Sequence, residues 1–153
     1  MAHARMQNPV MMVPGAMKAA RALSASAQQS GVPQRTLWLM QLRASQINGC
    51  GFCVDMHAKE LKNDGDSDER IFSVAAWRET PYFTEAERAA LALTEAATRI
   101  ADRPEAVPDD IWAEVTRHFD EAQRAGLIIN IGVINFWNRI NAITRTVAGS
   151  FHG

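Results

Sequence analysis

The stretch from Leu127 to Ile143 constrains this chain most. Apolar side chains stand at Leu127, Ile128, Ile129, Ile131, Val133, Ile134, Phe136, Trp137, Ile140 and Ile143, so a helix built from it is apolar nearly all round. Such a helix has to be covered on most sides. It does not read as a membrane span, because the near-apolar run from Leu127 to Trp137 is too short and Asn130 and Asn135 interrupt it. It reads instead as the central helix of a bundle, or as the element around which subunits pack. Asp120 and Gln123 have the spacing of a capping box and open it; the pattern carries it to about Val147, with Gly149 as the stop.

The remaining segments also carry helical rather than strand periodicity. Pro14 opens a first helix through Met17, Ala20 and Leu23 to about Ser30, and Gly31 and Pro33 separate it from a second over Gln34 to Ile47. Asn48-Gly49 ends that one, and a third follows to about Lys62. After the turn Asn63-Asp64-Gly65, Asp66 and Glu69 have capping-box spacing for a helix bearing Ile71, Phe72, Val74 and Trp77, which Thr80-Pro81 ends. Thr84 and Glu87 form a second box before an alanine-rich helix reaching Ala101. A loop to Pro108 and a short helix with Trp112, Val115 and Phe119 complete the series. The expected fold is all-α: a compact bundle of six to seven helices in one domain over residues 1–153. At 153 residues and 47% apolar, the chain can bury a sizeable core.

Sixteen basic and seventeen acidic residues give a net charge of −1, and no basic block is present. Nucleic acid and anionic membrane are therefore not expected partners. The polar start, Met1 to Pro9, lacks the pattern of a secretory signal, which points to the cytoplasm.

Both cysteines lie in Gly49-Cys50-Gly51-Phe52-Cys53-Val54-Asp55-Met56-His57. Offsets of three, four and seven place Cys50, Cys53 and His57 on one helical face, with Cys50 in the first turn, where unpaired N–H groups and the helix dipole favour a thiolate. A Cys-x-x-Cys in a chain without an export signal suggests thiol–disulfide chemistry. Structural zinc needs a fourth ligand, and His3, His118 and His152 have no ligand-like spacing. Haem attachment needs a histidine where Val54 stands. Two buried small residues with a satisfied core histidine are the plain structural alternative. Asp64, Asp66 and Asp68 mimic a calcium loop, but Glu69 and Ala75 occupy its glycine and glutamate positions. No metal or cofactor is expected.

The run Leu42 to His57 closely resembles the core of the carboxymuconolactone decarboxylase superfamily, within its alkylhydroperoxidase D-like, peroxidase-related branch. Glu87 to Ala96 and Ile134 to Asn141 agree with it, so the resemblance spans about residues 33–147. It implies an all-helical fold assembled as dimers, trimers or hexamers, with the Cys-x-x-Cys opening a buried helix. It also implies a disulfide-cycling hydroperoxidase in which the second cysteine, here Cys53, attacks the peroxide and the first, Cys50, resolves it. The family histidine matches His57. Two departures stand out: Trp38 occupies the place of the family's relay glutamate, and Phe52 that of a second histidine. Glu95, on an otherwise apolar helix, is the candidate replacement acid, as a buried carboxylate facing His57; the alternative is an exposed Glu95 paired with Arg99. Asp55 points off the reactive face. Phe52, Met56 and Trp38 are either an apolar entrance or core.

The expected chemistry is attack of the Cys53 thiolate on a hydroperoxide, condensation of the sulfenic acid with Cys50, and reduction of the disulfide by an external dithiol, a lipoyl group or a thioredoxin-like protein. The alternative is a redox-sensing or partner-binding oligomeric module with little turnover.

Overall fold

The structure is a computed structural model and describes residues 3–150. Among the described residues there are eight α-helices and no strand: α1 (Pro9–Met12), α2 (Ala16–Gln28), α3 (Gln34–Asn48), α4 (Gly51–Asn63), α5 (Asp68–Ser73), α6 (Glu85–Thr98), α7 (Asp109–His118) and α8 (Glu121–Thr144). The all-α expectation holds. The helix count exceeds it because α1 is an additional turn of helix ahead of the segment expected to begin at Pro14; Val13 leaves α1 extended, and α2 starts at Ala16 with Gly15, at φ 81°, as its N-cap.

Helix α3 is the hub: it packs against α4, α6 and α8. One apolar cluster joins Leu37 and Met40 of α3 to Ala90 and Leu93 of α6, Val115 of α7 and Leu127 of α8. A second, on the other side of α3, joins Leu39 and Leu42 to Leu61, Val74, Trp77 and Leu91. The capping boxes at Thr84–Glu87 and Asp120–Gln123 form as their spacing predicts. The one at Asp66–Glu69 does not. Ser67 is the N-cap of α5, and Asp66 turns its carboxylate to Arg70 and to the Ser67 N–H. Helix α5 then passes into a 3₁₀ segment, Val74–Glu79, broken at Ala76, which leaves Phe72 exposed.

Helix α8 is buried along Leu127, Ile131, Val133 and Ile134, yet Ile128, Ile129, Phe136 and Ile143 are exposed. One chain thus covers one side of the apolar helix and leaves a stripe on the other. No helix among the described residues is long and apolar enough to cross a membrane.

Candidate redox site

Gly49, at φ 67°, ends α3 in the left-handed conformation that glycine adopts without strain. It turns the chain so that the Cys50 N–H reaches the Ser45 carbonyl at 3.0 Å. Cys50 is thereby the N-cap of α4 rather than a residue of its first turn, and its Sγ accepts the Cys53 N–H at 3.3 Å. The two cysteines form a disulfide with Cα atoms 5.3 Å apart. Both are essentially solvent-free, Cys50 at 1% and Cys53 at 0% exposure.

Helix α8 buttresses this turn through amide side chains spaced along one face. Asn48 at the end of α3 donates to Asn135 and Asn138, and Asn138 donates to Ser45. Asn130 is held by Gln41 and donates to the Leu37 carbonyl. One turn past Asn138, Asn141 donates its amide to Cys53 Sγ at 3.6 Å, while its oxygen accepts from Asn8 at 3.3 Å. Asn141 lies at the edge of a stretch singled out by resemblance, but no role was drawn for it from sequence. An amide breaking an apolar helical face was the available signal.

His57, one turn after Cys53 on α4, is buried, and its Nδ1 meets a Glu60 carboxylate oxygen at 2.6 Å. A carboxylate only accepts, so this contact makes Nδ1 the donor and leaves Nε2 as the basic nitrogen. Nε2 is buried and has no hydrogen-bond partner among the described residues.

The acid next to His57 is therefore Glu60 and not Glu95. Glu95 is buried, and its carboxylate accepts from Arg43 Nε at 2.7 Å, Trp77 Nε1 at 3.1 Å and Arg78. Burial pushes its carboxyl up, and the bonds from Arg78, Arg43 and Trp77 outweigh this and hold it below the usual carboxylate value. Neither alternative from sequence, a carboxylate on His57 or an exposed pair with Arg99, is formed. Glu60 was legible in principle as the residue three after His57, on the same face.

A cleft of about 270 Å³ opens beside His57 and Asn141. Trp38 and Phe52, which stand where the family's relay glutamate and second histidine would be, both line it, as do Met56 and Trp137. These four side chains are entrance wall rather than sealed core, each being partly exposed. No group of three or more His, Cys, Asp or Glu among the described residues is arranged to hold a metal ion.

The sequence profile of the carboxymuconolactone decarboxylase family matches residues 14–96, which contain the redox turn, α4 and most of α6. The chain belongs to this family. Among curated proteins, it is 38% identical over 128 residues to the uncharacterized protein YdfG of Bacillus subtilis, covering 84% of this chain and 86% of YdfG. It is 33% identical over 104 residues to the uncharacterized YnjA of Escherichia coli, covering 68% of this chain and 56% of YnjA. Among solved structures, it matches ATU0492 of Agrobacterium tumefaciens, a protein of unknown function designated a candidate AhpD of antioxidant defence. The TM-score is 0.88 at 41% identity, over 97% of this chain and 100% of that one. The fold is shared with the debrominase Bmp8, at TM-score 0.78, 20% identity, and coverage of 90% and 73%.

Proposed function

We propose that this protein is a thiol-dependent organic hydroperoxide reductase that cycles through the Cys50–Cys53 disulfide. The observation that carries the reading is the disulfide at the start of α4, with the Asn141 amide on Cys53 Sγ and the His57–Glu60 couple on the same helix. In the reduced form, His57 takes the Cys53 proton, and the helix N-terminus and the Asn141 amide stabilise the thiolate. The thiolate attacks the distal peroxide oxygen. The O–O bond breaks, sulfur becomes a sulfenic acid, and His57 returns the proton to the departing alkoxide, giving an alcohol. Cys50 condenses with the sulfenic acid, releases water and forms the disulfide. An external dithiol, lipoyl or thioredoxin-like, reduces it by exchange, as a reducing cytoplasm would allow. Glu60 orients His57 and accepts charge from it, the task for which Glu95 was expected.

The test is consumption of cumene hydroperoxide with a dithiol as electron donor. C53S abolishes turnover. C50S reacts once and accumulates a sulfenic acid that dimedone traps. E60Q slows oxidation of Cys53 by about 100-fold, the lower range for a positioned acid–base group. Wild-type rates in both cysteine variants would refute the mechanism.

A second reading, a redox-sensing homo-oligomer with little turnover, is favoured by the exposed apolar stripe on α8. It predicts different sedimentation coefficients for the reduced and oxidised protein. The peroxidase reading accommodates a dimer, trimer or hexamer that does not change with redox state.

A further inference from the structure

We infer that the cleft beside His57 and Asn141 selects an organic hydroperoxide bearing a carboxylate, and that Arg21 recognises that group. The inference rests on the peroxidase reading and adds the class of substrate to it.

Met17, Arg21, Ser24 and Gln28 of α2 all line the cleft. Their spacing of four, three and four residues is that of one helical face, so Arg21 stands in the middle of the wall that α2 presents. The ionisable groups of the lining are Arg21, His57 and Glu60. The last two are engaged with each other at 2.6 Å. No ion pair or side-chain hydrogen bond engages the Arg21 guanidinium among the described residues. The α2 wall of the cleft thus carries a positive charge, while the Glu60 carboxylate is held against the His57 ring of α4. A cationic substrate meets repulsion there, while an anion meets a planar fork of donors that fits a carboxylate with two hydrogen bonds. Arg21 is itself exposed, so its attraction for an anion is that of a solvated ion pair, with Trp38, Phe52, Met56 and Trp137 as the apolar remainder of the lining.

The same walls specify the rest of the molecule. Half-buried rings and a thioether suit an aryl or short alkyl body. A volume of about 270 Å³ lies just under the usual range of small-molecule sites, roughly 300 Å³ and upward, so a long acyl chain is not enclosed. The peroxide end then lies towards His57 and Asn141, and the carboxylate end towards α2. Electron flow is unchanged: the peroxide is reduced to an alcohol, the cysteine pair is oxidised, and the external dithiol restores it.

The experiment compares cumene hydroperoxide with its para-carboxylate in the wild-type protein and in R21Q, R21K and R21E. The wild type favours the carboxylate in kcat/KM by about fivefold, the factor an exposed ion pair at its upper strength supplies. That ratio falls to about one in R21Q and below one in R21E, is partly kept in R21K, and shrinks as salt rises. A second readout is calorimetric binding of the unreactive 4-isopropylbenzoate to the disulfide form. A wild-type ratio of one, or the same ratio in R21Q, overturns the inference. If the benzoate binds in an Arg21-dependent way but neither hydroperoxide is consumed, the peroxidase reading falls and the anion site stands. If the neutral hydroperoxide is consumed but the carboxylate gains nothing and the benzoate does not bind, the anion site falls and the peroxidase reading stands.

Discussion

Glu95→Gln separates a structural carboxylate from a catalytic one. Glu95 holds Arg43, Arg78 and Trp77 together at 5% side-chain exposure. Glutamine keeps one acceptor oxygen and turns an amide donor towards an arginine. Removing one member of a buried ion pair costs about 3–5 kcal/mol, because the partner is left charged and uncompensated. Arg43, at 12% exposure, is stranded in this way. Arg78, at 54%, can turn into water. The lower end applies: about 3 kcal/mol, or a Tm about 6–12 °C lower for a chain of this size. Urea unfolding followed by tryptophan fluorescence reads it, since Trp77 is one of the partners. The pH dependence has a definite sign. The Glu95 carboxyl is held below its ordinary value despite burial, because Arg78, Arg43 and Trp77 outweigh it. Its contribution is therefore complete above the unfolded carboxylate pKa and is lost as pH falls through the folded one. The stability gap between wild type and E95Q closes in acid. The reasoning is refuted if E95Q unfolds within 1 kcal/mol of wild type at neutral pH while oxidation of Cys53 slows sharply, since Glu95 would then be acting on the reaction.

Two further substitutions probe the supports of the site and of the bundle. Asn141→Leu removes the amide from Cys53 Sγ, a hydrogen bond that favours the charged form of the sulfur, so in the reduced protein Cys53 is alkylated more slowly at neutral pH; equal alkylation rates for the two proteins would contradict this. Gly126→Ala drives a methyl group into the Ser30 side chain, which is anchored to the Ala27 carbonyl, and costs about 1–3 kcal/mol; an unshifted urea midpoint would show that α2 yields freely.

What the sequence disclosed depended on how local the cause was. The Thr84 and Asp120 caps and the Gly49 turn arise from residues within a turn or two of one another, and they are readable from the sequence. The start of α5 was misread because Ser67 and Asp66 compete for the same N–H groups, and Arg70 decides the contest by drawing Asp66 away. Sequence leaves Glu95 open between burial against His57 and exposure beside Arg99, and it is buried against neither. Its partners come from α3 and from the segment after α5, and no spacing within α6 reveals them. Asn141 is the clearest case of a contact that only folding creates, reaching a sulfur 88 positions away. Glu60, three residues after His57 on the same helix, is a local partner that the helical spacing alone discloses.

The disulfide at the head of α4 is covered on every side within the chain, with 1% and 0% of its two residues exposed. Exchange requires a thiolate to approach in line with the sulfur–sulfur bond. A thiol diffusing in solution finds that line of approach only when the surrounding residues part, which slows exchange without preventing it. Local opening of the fold must come first, and its frequency sets an upper limit on the rate of reduction. Under the proposed cycle, burial of this kind slows reduction by small thiols and favours a reductant that can hold the turn at the head of α4 open.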